Sequence, residues 1–166
     1  MEALCYLKFP VQLVIIGEKW DAKYAKEIEE MAYKINEKGI HNVTMVGNID
    51  QSDLVEWYQK ASAVVCPYLY ETYSNVTRES LACGTPVVST GSHLVEGNSD
   101  GILLIPRDPR DLAIAINRLL TDKEMREQFG NDGRRVIERY FSWESIVKDL
   151  VKLYEALSKR YFAAVH

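Results

Sequence analysis

Between Pro67 and Val88 the chain reads Pro-Tyr-Leu-Tyr-Glu-Thr-Tyr-Ser-Asn-Val-Thr-Arg-Glu-Ser-Leu-Ala-Cys-Gly-Thr-Pro-Val-Val, and two carboxylates in it, Glu71 and Glu79, stand with seven residues between them. Ser74, Asn75 and Val76 fall where a helix should start. Glu71 falls on the loop before that start and Glu79 in the first turns after it. A helix start presents unpaired N–H groups and the positive end of the helix dipole, so it can hold an anion such as a diphosphate. A carboxylate can accept hydrogen bonds from both hydroxyls of a vicinal diol. Glu79 is therefore a candidate for gripping a ribose. Glu71, beyond the phosphate position, is a candidate for reaching the hydroxyls of an attached sugar. Two glutamates at this spacing are also common as solvated surface acids, and spacing alone does not separate the readings.

Short apolar runs alternate with longer helical patterns along the rest of the chain. Val11–Ile16 is apolar apart from Gln12 and ends at Gly17. Trp20–Lys38 then reads as an amphipathic helix, with Tyr24, Ile28, Met31 and Ile35 at three- and four-residue spacing and Gly39 as its stop. Val43–Val46 is a second strand closed by Gly47. A helix capped by Asp50 or Ser52 carries Leu54, Val55 and Tyr58. Ala63–Cys66 is a third strand, followed by a short helix over Val76–Cys83 that Gly84 ends. Val87–Ser89 and Ile102–Ile105 are two more strands, and three helices close the chain: Pro109–Leu120, Lys123–Tyr140 and Trp143–Leu157. This alternation, with β-branched strands that lack a polar face, predicts an α/β fold. Right-handed crossovers then give a doubly wound parallel sheet in a single domain over residues 1–166. Such sheets bind ligands beyond the carboxyl ends of their strands. The segments there are Gly17-Glu18-Lys19, Gly47-Asn48-Ile49, Tyr68–Asn75 and Thr90–Ser99.

Composition narrows the ligand. The 166 residues are 47% hydrophobic and 27% charged, with a net charge of −4. That balance argues against a general nucleic-acid binder, which needs a basic face, but it does not exclude a small anion held at a helix start. The three cysteines, Cys5, Cys66 and Cys83, form no CxxC pair. A reducing compartment is the simpler reading, with neither a disulfide framework nor a zinc site. No apolar run is long enough to span a membrane. The expected location is cytoplasmic, with peripheral membrane attachment left open. His93 lies on a ligand-facing loop as a lesser candidate, and His41 and His166 carry no expected role. Tyr68, Tyr70 and Tyr73 serve either to stack on a base or sugar or to pack inside. Arg78 either approaches phosphate or is a solvated, ion-paired helix residue.

The Pro67–Val88 segment resembles the signature of retaining glycosyltransferases of the GT-B class, in particular the large family 4, or glycosyl transferases group 1. Glu71 and Glu79 match its paired glutamates; Ala82, Gly84, Pro86, Val87 and Val88 match its tail. The resemblance runs collinearly through Gln12–Glu18, Asn42–Ile49, Leu54–Pro67, Gly101–Ile105 with Asp108, and Phe141-Ser142-Trp143. It implies a Rossmann-like domain, the C-terminal half of a two-domain architecture, that binds a UDP- or GDP-linked sugar. Its implied activity is transfer of a hexose to a glycan or lipid acceptor with retained configuration. By position, Glu71 would contact the donor sugar as the catalytic residue and Glu79 the ribose. The amides near Ser74, Asn75 and Val76 would hold the diphosphate, and the backbone of Asn48 or Ile49 the base. Gly17 and Gly91, with Ser92, would line the donor. The family typically needs no metal, and neither a metal nor a cofactor is expected here.

The sequence departs from the family pattern at its start. The usual first strand, its Gly-Arg turn and a nearby lysine have no counterpart, and Met1-Glu2-Ala3-Leu4 looks like the helix that follows that strand. Lys8 and Lys19 are the nearest cations and do not match. Without those cations and without the N-terminal acceptor domain, weak donor binding and no unaided turnover are expected. The gap in the sheet could close by rearrangement, by another chain or as a smaller sheet. After the fourth strand, Thr90-Gly91-Ser92 stands where the family has Gly-Gly followed by a glutamate. Two other functions remain: a sugar-nucleotide epimerase of the same architecture, and a non-catalytic sugar-nucleotide-binding module.

Overall fold

The computed structural model describes residues 1–18, 21–68, 74–91 and 100–165. Lys19, Trp20, Tyr70, Glu71, Tyr73, Ser92, His93 and His166 lie outside the described residues.

The described strands are all parallel, as the β-branched runs predict, and they form two sheets. Strands β1 (Gln12–Ile16) and β2 (Asn42–Gly47) pair in one; β3 (Val64–Cys66), β4 (Val87–Ser89) and β5 (Ile102–Leu104) pair in the order β3-β4-β5 in the other. Between these two sheets no strand pairing joins the described residues.

Helices α1 (Ala22–Glu37), α2 (Gln51–Lys60), α3 (Asn75–Ala82), α4 (Pro109–Thr121), α5 (Lys123–Tyr140) and α6 (Trp143–Val165) connect or follow the strands. Asp21 caps α1 by accepting from the Lys23 and Tyr24 amides, and Asp108 caps α4 the same way from Arg110 and Asp111. Each carboxylate satisfies donors that the helix leaves unpaired and sits at the favourable end of its dipole. The start of the chain is a single 3-10 turn over Glu2–Tyr6 rather than a longer helix. Asn117 of α4 clasps this turn: its Oδ1 accepts from the Lys8 amide at 3.0 Å and its Nδ2 donates to the Tyr6 carbonyl at 3.4 Å.

The three-stranded sheet is packed against helices on both faces, which explains its mostly apolar strands. Alternate residues of β4 point to opposite layers. Val87 joins Cys66, Leu81 and Ile102 with Ile137 of α5 at their border, whereas Val88 joins Ala115 and Leu119 of α4. The β1–β2 pair has its own core, where Leu4 of the first turn, Ala32 of α1 and Val43 meet.

Helix α5 is seated directly on the turn that follows α3. Gly130 and Gly133 are buried there. A Cβ on Gly130 would overlap the carbonyl oxygen of Gly84. Gly84 itself has φ of +79°, a conformation that a side chain would strain, so the carbonyl has little freedom to retreat. Replacing Gly130 by alanine should gain about 1 kcal/mol of helix propensity. Overpacking against backbone costs about 1–3 kcal/mol, and more where nothing can yield. The overlap should win. Gly130→Ala is expected to lower the urea midpoint of unfolding without changing the slope of the transition; a midpoint equal to or above wild type would contradict this packing.

Candidate functional site

Helix α3 begins directly after the described end of the Tyr68–Asn75 loop, and Ser74 organises its start. Ser74 is buried, and its Oγ accepts from the Thr77 amide at 3.1 Å. The same oxygen shares a hydrogen bond of 2.9 Å with the Tyr68 hydroxyl. Tyr68 is held in turn by its carbonyl, which accepts from Thr90 Oγ1 at 2.6 Å. Thr90 follows β4, and its amide donates to Cys66 of β3. The start of α3 is therefore tied to the carboxyl ends of two neighbouring strands. Thr77, fully buried, turns its hydroxyl toward the Cys66 sulfur at 3.9 Å.

These bonds divide the labour among the residues singled out from the sequence. The Ser74 side chain is occupied in capping. Asn75 and Val76 are exposed in the first turn, and their N–H groups precede the first donor that has an acceptor within the helix. Among the described residues of this turn, they are the backbone donors placed to receive an anion. Arg78 bonds the Asn75 Oδ1 and lies 5.7 Å from the centre of the Phe141 ring. It is thus drawn against its own helix and the start of α6's entry turn.

Glu79 is half-buried one turn further on, and its Oε2 accepts from the Tyr58 hydroxyl at 3.0 Å. Tyr58 is the buried residue of α2. Burial, then the hydrogen bond to Glu79 and its charge, push the phenol well above its ordinary ionisation range. It stays a neutral donor at any physiological pH. Behind this pair, Thr85 Oγ1 donates to the Tyr58 carbonyl at 2.6 Å, and Ser80 Oγ donates to the Thr85 carbonyl at 2.9 Å.

The remaining candidates sit at the ends of β1, β2 and β4. Gly17 is exposed, and its amide donates to the Gly47 carbonyl at 2.9 Å, holding the two turns side by side. The β1–β2 register shifts between Ile15 and Ile16, just before these turns. Gly47 adopts φ of +82°, so the chain turns sharply there. Asn48 is exposed and Ile49 half-buried beyond it, immediately before α2. Gly91 is exposed after β4, and its amide lies 3.4 Å from Ser89 Oγ. Two groups result, Gly17 with Gly47–Ile49 and Ser74–Glu79 with Gly91. Helix α2 links them: it starts at Gln51 just beyond one group, and Tyr58 in its last turn bonds Glu79 of the other.

Tyr58 and Thr85 were not legible as site residues. The available signal was a tyrosine on the apolar stripe of α2, since a buried phenol usually requires a polar partner. The cysteines pack or lie at the surface, with Cys66 buried in the core and Cys5 exposed. Among the described residues no cluster of metal-binding side chains forms. No described helix is long and apolar enough to cross a membrane. A shallow hollow lined by Pro10, Gln12, Asn36, His41 and Asn42 lies at the opposite end, where β1 and β2 begin. Parallel sheets bind at the carboxyl ends of their strands, and the Asn36 side chain there is spent on the Val43 backbone. The helix start is the stronger site.

Residues 2–122 match the family model described as Glycosyl transferases group 1. The chain belongs to that family. A glycosyltransferase of Methanocaldococcus jannaschii is 30% identical over 148 residues, which are 87% of this chain and 37% of that protein. The D-inositol 3-phosphate glycosyltransferase of Corynebacterium jeikeium is 33% identical over 136 residues, 79% of this chain and 32% of that one. Among solved structures, a sucrose-phosphate synthase from Thermosynechococcus elongatus superposes with a TM-score of 0.74 at 31% identity, covering 90% of this chain and 39% of that one. Anabaena HepE, in complex with UDP-glucose, superposes with a TM-score of 0.76 at 21% identity over 93% of this chain and 43% of its own. This glycosyltransferase-family chain thus has the Rossmann-like fold of GT-B enzymes and spans well under half the length of these relatives.

The capping role of Ser74 in this family member is separable from any ligand. Removing its hydroxyl deprives the Thr77 amide and the Tyr68 phenol of a buried partner. Ser74→Ala should destabilise the chain by about 1–2 kcal/mol, the usual cost of a lost N-cap. Equilibrium urea unfolding checks this; a change within about 0.3 kcal/mol would show that the cap does not anchor α3.

Proposed function

We propose that this chain is the donor-binding domain of a retaining glycosyltransferase and holds a nucleoside-diphosphate hexose. The observation that carries the reading is the start of α3. Two exposed residues, Asn75 and Val76, open an anchored helix whose first N–H groups have no acceptor within the helix, and the half-buried Glu79 follows one turn later. In this reading the N–H groups of Asn75 and Val76 receive the diphosphate and Glu79 the vicinal hydroxyls of the ribose. The backbone at Asn48 or Ile49 meets the base, and Gly17 and Gly91 leave room for the donor to approach. Glu71 holds the hexose that is transferred. Membership of glycosyl transferases group 1 supports this assignment, and so does the fold shared with a protein solved with UDP-glucose.

The chemistry is displacement at the anomeric carbon. A hydroxyl of a glycan or lipid acceptor attacks on the face from which the diphosphate leaves, so configuration is retained; the new glycosidic bond forms, the bond to the diphosphate breaks, and the hydroxyl proton passes to the leaving diphosphate oxygen. Negative charge grows on the leaving diphosphate, and fixed N–H dipoles at a helix start are suited to receive it without reorganisation. Two amides alone supply a modest share of that stabilisation. Turnover therefore draws on a second Rossmann-like domain that supplies the acceptor site, and on cations beside the diphosphate. The greater length of the relatives is consistent with such a partner domain.

Calorimetric titration with UDP, GDP, UDP-glucose and GDP-mannose tests the donor site. One base series should bind, and Glu79→Ala should weaken it roughly 5- to 150-fold, the cost of about 1–3 kcal/mol for hydrogen bonds to a charged group. Undiminished binding by Glu79→Ala, or binding of neither series, would overturn the assignment.

A further inference from the structure

Glu79 is not left to find its own orientation. A glutamate on a helix surface normally samples many rotamers, and each must be given up when it grips a ligand. Here Tyr58 reaches from α2 and donates its hydroxyl to Glu79 Oε2 at 3.0 Å. Tyr58 is buried, 7% exposed, which confines its side chain, and its backbone carbonyl accepts from buried Thr85 Oγ1 at 2.6 Å, which holds this part of α2 in place. Thr85 is fixed by Ser80, the neighbour of Glu79, through the 2.9 Å bond to its carbonyl. The loop of contacts therefore closes on α3 itself. A phenylalanine would fill the same slot, so the hydroxyl is the part that packing does not explain.

We propose that Tyr58 is a positioning residue for Glu79. Its phenol occupies one acceptor site of the carboxylate and fixes the side-chain rotamer. A carboxylate offers about four lone-pair sites, so enough remain for both hydroxyls of a ribose diol. The inference rests on the assignment of Glu79 to that diol. The neutral state of the phenol suits the role, since burial and the adjacent carboxylate both oppose its ionisation. The link also makes α2 a strut: its first residue follows the turn assigned to the base and its end holds the group assigned to the ribose.

The test compares UDP with the dideoxy analogue that lacks both ribose hydroxyls, and the GDP pair in the same way, on wild type, Tyr58→Phe, Glu79→Gln and the double variant. Tyr58→Phe removes one oxygen and keeps the ring in place; a thermal melt establishes that it is folded. It should weaken the diol-bearing nucleotide roughly three- to ten-fold, the worth of about one hydrogen bond, and leave the dideoxy analogue unchanged. In the Glu79→Gln background the same change should have a smaller effect, because the two act as one unit. Equal losses for both nucleotides would show a packing role and overturn the proposal, as would no loss for either. A wild type that does not distinguish the diol from its absence, or that binds neither base series, would instead overturn the assignment of Glu79, and the positioning role with it.

Discussion

Helix α3 begins at the carboxyl edge of a parallel sheet, and its first N–H groups have no acceptor within the helix. A start of this kind is useful only if it is rigid and partly open. Here one donor, the Thr77 amide, is satisfied by Ser74, and Ser74 is bonded to Tyr68, which Thr90 holds from the next strand. Capping the Thr77 amide while the two residues before it, Asn75 and Val76, stay exposed is the constraint around which the candidate site is built. It fixes where an anion would sit, how the helix dipole points at it, and where Glu79 falls one turn later.

The packing beneath serves that start. The sheet β3-β4-β5 is covered by α3 and α5 on one face and α4 on the other, so its strands need no polar side. The contact of Gly130 with the Gly84 turn lets α5 lie close against the end of α3. On the other side, the polar series Ser80, Thr85, Tyr58 and Glu79 joins α3 to α2 through side chains that are largely buried. Buried polar groups are tolerated when each has a partner, and among the described residues no buried side-chain polar atom lacks one. The same helix is thus held by apolar contact on one side and by hydrogen bonds on the other.

How much of this was legible depended on how local the cause is. Helix α5 spans the predicted Lys123–Tyr140 because Asp122, a good cap, stands before it and the Phe-Ser break follows it. Strand β4 likewise spans its predicted Val87–Ser89. Helix α3 starts one residue earlier than predicted, since Ser74 rather than Asn75 takes the cap. Helix α6 runs to Val165, past the predicted Leu157, because no glycine or proline stands there to stop it. A gap in the sheet was expected, but the grouping of the strands into two sheets and the clasp of Tyr58 on Glu79 were not legible. Both depend on residues far apart in the chain, and neither leaves a periodic trace. Of the two glutamates that drew attention, Glu79 is described and Glu71 is not.

In the proposed reading, the start of α3 and the turn after β2 are two parts of one nucleotide site. Mapping amide shifts by two-dimensional NMR on the nitrogen-labelled chain, during titration with UDP and with GDP, tests it most directly. The largest shifts are expected at Asn75, Val76 and Thr77, with a second group at Asn48 and Ile49, all saturating together at one concentration. Shifts centred on the hollow at Pro10, Asn36, His41 and Asn42, or no shift with either nucleotide, would contradict it.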